Sequence, residues 1–79
     1  MILFKSKAEK ELDFLLAELK NYLSNNYKDA AHSCRKQLLE KAEQYFEEGK
    51  ISQVKFRKYQ QQYAYYTKLM EQYQHTKIT

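Results

Sequence analysis

Three observations predict an all-α fold, a small three-helix bundle. The 79-residue chain holds no proline and one glycine. Its apolar residues recur at steps of three and four from Ala8 to Tyr73, the period of a helix face. Two short clusters interrupt that pattern, Ser24-Asn25-Asn26 and Glu47-Glu48-Gly49-Lys50-Ile51-Ser52. The expectation is a single domain over 1–79, with helices at about 6–24, 27–48 and 52–75.

The first helix starts on Ser6. Ser6 and Glu9 have the spacing of a capping box, in which hydroxyl and carboxylate each take the other residue's amide. Ala8, Leu12, Leu15, Leu19 and Tyr22 follow at heptad spacing, and Leu16 and Leu23 widen the stripe. Asparagine tolerates the left-handed conformation that ends a helix, and Asn26 is placed to cap the next one. A continuous helix through 24–27 is the alternative, because this break holds neither glycine nor proline.

The second helix carries Tyr27, Ala31, Cys34, Leu38, Ala42 and Tyr45 on one face. Ala30, Ala31, Ser33 and Cys34 are small, which lets a neighbouring helix approach closely. Gly49 closes this helix, Ser52 caps the third, and Ile51 and Phe56 have the spacing of a hydrophobic staple. So short a connection makes residues 27–75 an antiparallel helical hairpin.

The third helix bears the most unusual stripe: Phe56, Tyr59, Tyr63, Tyr66, Met70, Tyr73. Tyrosine suits a seam that is half wet, since every buried hydroxyl needs a partner. Such a seam lies within the bundle or between two copies, so a homo-oligomer, most simply a dimer, is expected beside the monomer. Tyr65 points off the stripe and forms a second face with Leu69.

The formal charge is +4. Residues 1–25 and 26–50 each balance, while 51–79 set Lys55, Arg57, Lys58, Lys68 and Lys77 against Glu71 alone. Glu47 and Glu48 end a helix and Lys55, Arg57 and Lys58 begin one, each against the helix dipole. Pairing across the turn is the expected compensation.

Chemistry is sparse. Cys34 is the one cysteine, so no intrachain disulfide forms, and it is expected as a reduced, buried thiol. His32 and Cys34 are two apart and face different ways on a helix, so they do not chelate together, and no metal or cofactor site is expected. Glu9 and Asp13, like Glu43 and Glu47, read as solvated faces rather than as acid–base pairs. No catalytic residues are assigned.

Ala31-His32-Ser33-Cys34-Arg35-Lys36 loosely resembles the phosphoacceptor stretch of histidine phosphotransfer domains, with an apolar residue at +2 and a base at +3 of the histidine. Lys36 stands where that family usually has glycine, and the chain is short for its four-helix fold. The plain reading of His32 is a solvated side chain.

Met1-Ile2-Leu3-Phe4-Lys5 is too short an apolar run for a signal peptide, and no stretch reaches membrane-spanning length. Residue 2 excludes N-myristoylation, no prenylation cysteine is present, and a cytoplasmic protein is expected. The expected function is a non-enzymatic protein–protein interaction module, an adaptor or regulator. Its partner-binding residues would be Lys55, Arg57, Lys58, Tyr65 and Leu69. The alternative is a nucleic-acid binder that uses the basic, tyrosine-rich third helix.

Overall fold

A computed structural model describes the backbone of residues 6–77 and the side chains of residues 6–71. It contains α1 (Lys7–Ser24), α2 (Lys28–Glu47) and α3 (Gln53–Lys77). The expected boundaries hold to within two residues. Tyr73 lies outside the described side chains, although α3 itself continues through Lys77. The helices run up, down and up, with α2 packed against both others. The bundle measures 48 × 22 × 20 Å.

The capping box forms as expected. Glu9 N–H donates to Ser6 Oγ at 3.1 Å, and Ser6 N–H donates to Glu9 Oε1 at 3.3 Å. Both turns then use one device. Asn26 and Gly49 take positive φ, 61° and 73°. At the end of α1, Asn26 N–H donates to Leu23 O and Tyr27 N–H to Tyr22 O. At the end of α2, Gly49 N–H donates to Phe46 O and Lys50 N–H to Tyr45 O. Each is a Schellman closure, which satisfies carbonyls that the helix end would otherwise leave open. The side chains that meet across such a closure also correspond. Tyr27 tilts against Tyr22 with ring centroids 6.4 Å apart, and Lys50 lies 5.5 Å from the Tyr45 ring centre.

Residues 24–27 are therefore a turn and not a continuous helix. Asn26 ends α1, however, and does not cap α2. Tyr27 holds the N-cap position with no side-chain hydrogen bond, and it is exposed rather than part of the apolar stripe. One residue cannot serve both roles, because the left-handed backbone that closes α1 is not the extended backbone of an N-cap. Ser52 does cap α3, accepting from Lys55 N–H at 3.2 Å.

The core is Ala8, Leu12, Leu15, Leu19 and Leu23 from α1, Ala31, Cys34, Leu38, Ala42 and Tyr45 from α2, Ile51 from the turn, and Tyr59, Tyr66 and Met70 from α3. Tyr22 and Leu16 border it. Leu23 thus takes the central place that the heptad reading gave Tyr22. The small residues of α2 let α1 come close enough for Cys34 Sγ to donate to Leu15 O at 3.2 Å. Phe56 stacks on Phe46, with centroids 4.5 Å apart and rings 2° from parallel. Of the stripe, Tyr59, Tyr66 and Met70 are buried inside the chain, and Phe56 and Tyr63 are half-buried.

Gly49→Ala tests the second turn. A Cβ there would meet nothing within 4 Å, so any cost comes from the backbone alone. The expected loss is about 1–2 kcal/mol in urea denaturation. Asn26→Gly, at the equivalent position of the first turn, is expected to leave stability unchanged or raise it.

Candidate functional site

The residues with chemical potential gather along α1. Its first half presents Glu9, Glu11 and Asp13, and all three reach across to another helix. Glu9 pairs with Lys55 Nζ at 3.0 Å. Asp13 accepts the Tyr59 hydroxyl at 2.8 Å. Glu11 accepts the Tyr45 hydroxyl and pairs with Lys41 Nζ at 3.4 Å. Two of the tyrosines therefore satisfy their hydroxyls on carboxylates at the bundle edge while their rings stay buried. Glu9 and Asp13 are not the solvated acids that their i, i+4 spacing suggested, because each is held by α3 one turn further along.

The shifts follow from these bonds. The Lys55 hydrogen bond, with the Ser6 amide, holds Glu9 below the ordinary carboxylate range. The Tyr45 hydroxyl does the same for Glu11. Burial, then the bond to Asp13, pushes the Tyr59 phenol far above its usual value. Acceptance by Glu11 raises Tyr45, and burial raises Tyr66.

The expected pairing across the Gly49 turn takes a different form. Glu48 binds Lys50 at 3.1 Å and accepts from Gln44 at 3.2 Å. Lys55 turns instead to α1. Helical spacing could not reveal this, because it places side chains on a face without saying which helix that face meets.

The predicted site residues divide accordingly. Glu9–Lys55 and Asp13–Tyr59 step together by four, so α1 and α3 run parallel in register. Continued down that seam, α1 offers half-buried Leu16 and α3 half-buried Leu69. Tyr65 stands at the rim, 60 % exposed, with its ring edge-on to Tyr66 at 4.9 Å. Val54, 78 % exposed, and Lys58 share the Tyr65 row, at spacings of four and seven residues. Arg57 does not belong to this group. It follows Phe56, which faces α2, and so turns to the opposite side of α3. Lys58, Tyr65 and Leu69 thus come together, Lys55 is tied up beside them, and Arg57 lies apart. Val54 and Leu16 were missed, although their four-residue steps from Lys58 and Leu12 were available.

Elsewhere the reactive groups have structural roles. Burial pushes the Cys34 thiol up, away from thiolate. His32 is half-buried rather than solvated, with Arg35 Nη2 3.4 Å from its Nδ1. Arg35 also donates to Thr67 Oγ1 at 2.6 Å and lies 5.2 Å from the Tyr63 ring centre. That clamp joins α2 to α3 and narrows approach to the imidazole. An open cleft of about 780 Å³ lies where α1 begins, lined by Ser6, Lys7, Ala8, Glu11, Tyr45 and Lys50. Its Ser6, Glu11, Tyr45 and Lys50 already hold one another or near neighbours. Among the described residues, no group of three or more His, Cys, Asp or Glu could hold a metal, and no helix is long and apolar enough to cross a membrane.

No family model matches the chain, and neither the curated proteins nor the solved structures yielded a significant match.

Tyr59→Phe keeps the ring and removes the bond to Asp13. The expected loss is about 1–2 kcal/mol in urea denaturation at neutral pH. The pH dependence has two limbs. A raised phenol pKa adds stability that is complete below the unfolded value, 10.0, and drains as pH rises from there toward the folded value. Lowered Glu9 and Glu11 add stability above 4.5, lost as pH falls through their folded values. Urea midpoints measured across pH should fall on both sides, and Tyr59→Phe should make the alkaline limb shallower, leaving the part due to Cys34, Tyr45 and Tyr66, with the acid limb in place.

Proposed function

We propose that this protein is a non-enzymatic interaction module, a small cytoplasmic adaptor or regulator that receives an acidic, amphipathic helix of a partner protein. The binding face is the α1–α3 seam and the adjoining row of α3. The observation that carries this reading is the exposure of Val54 and Tyr65 in one row with Lys58, beside Leu16 and Leu69, which border the core and stay half-buried.

Three physical points support it. An exposed tyrosine beside aliphatic groups is a good anchor, giving a large contact area for little lost rotamer freedom. The two acids of the seam, Glu9 and Asp13, are already held by Lys55 and Tyr59, so Lys20 and Lys58 set the sign of the field along the rest of it. That field draws an acidic partner and orients it. In the open cleft Tyr45 is held by Glu11, Ser6 by Glu9 and Lys50 by Glu48, which supports binding over catalysis.

Selection from a displayed library of helical peptides tests the reading. Enriched peptides should be amphipathic and acidic, and they should lose about tenfold or more in affinity to Tyr65→Ala or Lys58→Glu. Circular dichroism should show unchanged helicity for both variants, whereas Leu69→Ala is expected to lower stability as well as binding, since Leu69 also borders the core. Binding that ignores both Tyr65→Ala and Lys58→Glu would remove the proposed face. Tight binding of single-stranded DNA that falls steeply with salt and is lost in Lys58→Glu would favour nucleic acid instead.

A further inference from the structure

We infer that the outward face of the α2–α3 hairpin docks a second copy of this chain through a two-fold axis parallel to the helices. This surface lies on the other side of α3 from the seam above, and the inference stands independently of that reading.

The face is defined by contacts between the helices. Along α2, Cys34 meets α1 and Arg35 meets α3, so the next residue in the same rotation turns outward. By the same step, Glu43 follows Ala42 and Glu47 follows Phe46. Along α3, Phe56 meets α2 and Arg57 follows it outward. Phe46 and Phe56 stack on each other, so Glu47 and Arg57 flank one aromatic pair on the same side of the hairpin. Phe46 is 37 % exposed there.

The two rims of the face differ in sign. The α2 rim has exposed Asp29, Glu40, Glu43 and Glu47 against Lys36, and the α3 rim has exposed Arg57 and Lys68 against Glu71, so the first is acidic on balance and the second basic. Among the described residues, no ion pair engages Glu43, Glu47 or Arg57. A face with one acidic and one basic rim is complementary to itself, because a two-fold axis brings unlike rims together.

The register makes this specific. Phe46–Phe56 and Arg35–Thr67 fix the antiparallel alignment of α2 and α3. In that alignment residue 57 stands at the height of residue 45. A two-fold axis along the hairpin lays α2 of each copy over α3 of the other without changing height. Arg57 then lies between Glu43 and Glu47 of the second copy, and the reciprocal contact forms at the same level. Shape agrees with charge. A shallow depression of about 320 Å³, lined by Arg57, Gln60, Gln61 and Ala64, opens on α3 where the side chain of Ala64 is small. Half-buried Leu39 sits at the height of Tyr63, one residue short of Ala64, so the Leu39 of each copy is placed to enter the depression of the other. Such a contact is small and charge-dependent, so the association should weaken with salt.

Sedimentation equilibrium up to millimolar protein, at low and high salt, tests the inference. The expected wild-type behaviour is a monomer–dimer equilibrium that weakens as salt rises. Glu43→Arg and Arg57→Glu should each weaken the dimer by at least about tenfold, because each puts like charges together twice. An equimolar mixture of the two variants should recover the dimer, since Arg at 43 in one chain meets Glu at 57 in the other while the second contact stays native. Circular dichroism checks that both are folded, and Glu47→Arg replaces Glu43→Arg if that variant is not. A wild type monomeric throughout overturns the inference, as do single variants that leave the mass unchanged. Recovery in the double variant Glu43→Arg/Arg57→Glu without recovery in the mixture also overturns it, because the charges would then pair within one chain.

Discussion

The hydroxyl of Tyr59 on the carboxylate of Asp13 is the contact on which the arrangement of the helices depends. A tyrosine ring 2 % exposed can stay in an apolar core only if its hydroxyl finds an acceptor, since an unmatched buried hydroxyl costs on the order of 1–3 kcal/mol. The acceptor sits on α1, about two helical turns after its Ser6 cap, and so α1 must lie parallel to α3 with its acidic edge turned toward it. Lys55–Glu9 repeats the constraint one turn earlier. Tyr45–Glu11 applies it on the other flank, against α2. The acids of α1 are thus alignment devices, and the leucines between them supply the burial.

This division explains why α2 occupies the middle. Its core positions are small where α1 comes closest, at Ala31 and Cys34, and the thiol donates to a carbonyl of the neighbouring helix. Large side chains there would push α1 outward and lengthen the bonds from Asp13 and Glu11. On the opposite flank α2 meets α3 through Phe46–Phe56 near the turn and through the Arg35 clamp on Thr67 and Tyr63 further along. One flank of α2 is close and apolar, the other wider and bridged by long side chains. The α1–α3 seam has neither device beyond its first two turns, which is why apolar groups reach the surface there.

Much of this was legible in the sequence. The Ser6–Glu9 box, the left-handed positions and the core stripes rest on local chemistry, and local chemistry is written in consecutive residues. The register between helices was not legible. Periodicity showed that Glu9 and Asp13 share a face, but solvent and a neighbouring tyrosine leave the same mark on an i, i+4 pair. The pairing of Lys55 was misjudged for a related reason: nearness in sequence across the Gly49 turn suggested Glu47 and Glu48, whereas the helix that faces Lys55 is α1. Asn26 shows the remaining limit. Two roles fitted its side chain, and only the backbone angle, 61°, decides between them.

Internal pairing also changes where the charge of the molecule is felt. Counted along the chain, the first two thirds are neutral and the last third holds the whole +4. Counted in space, Lys55 belongs to Glu9, Lys41 to Glu11, and Lys50 to Glu48. What remains on the outward row of α2 is Asp29, Glu40, Glu43 and Glu47 against Lys36, while α3 keeps Arg57, Lys58 and Lys68 exposed against Glu71. A chain that is basic at one end of its sequence is therefore, once folded, acidic on balance along one helix of its hairpin and basic along the other. On the proposed reading, an acidic partner would be drawn to one side of α3, where the nearest carboxylates, Glu9 and Asp13, are already satisfied. On the other side the acidic row of α2 lies close by, so a partner for that side needs both signs in matching order, and the proposed second copy of the face supplies them in that order.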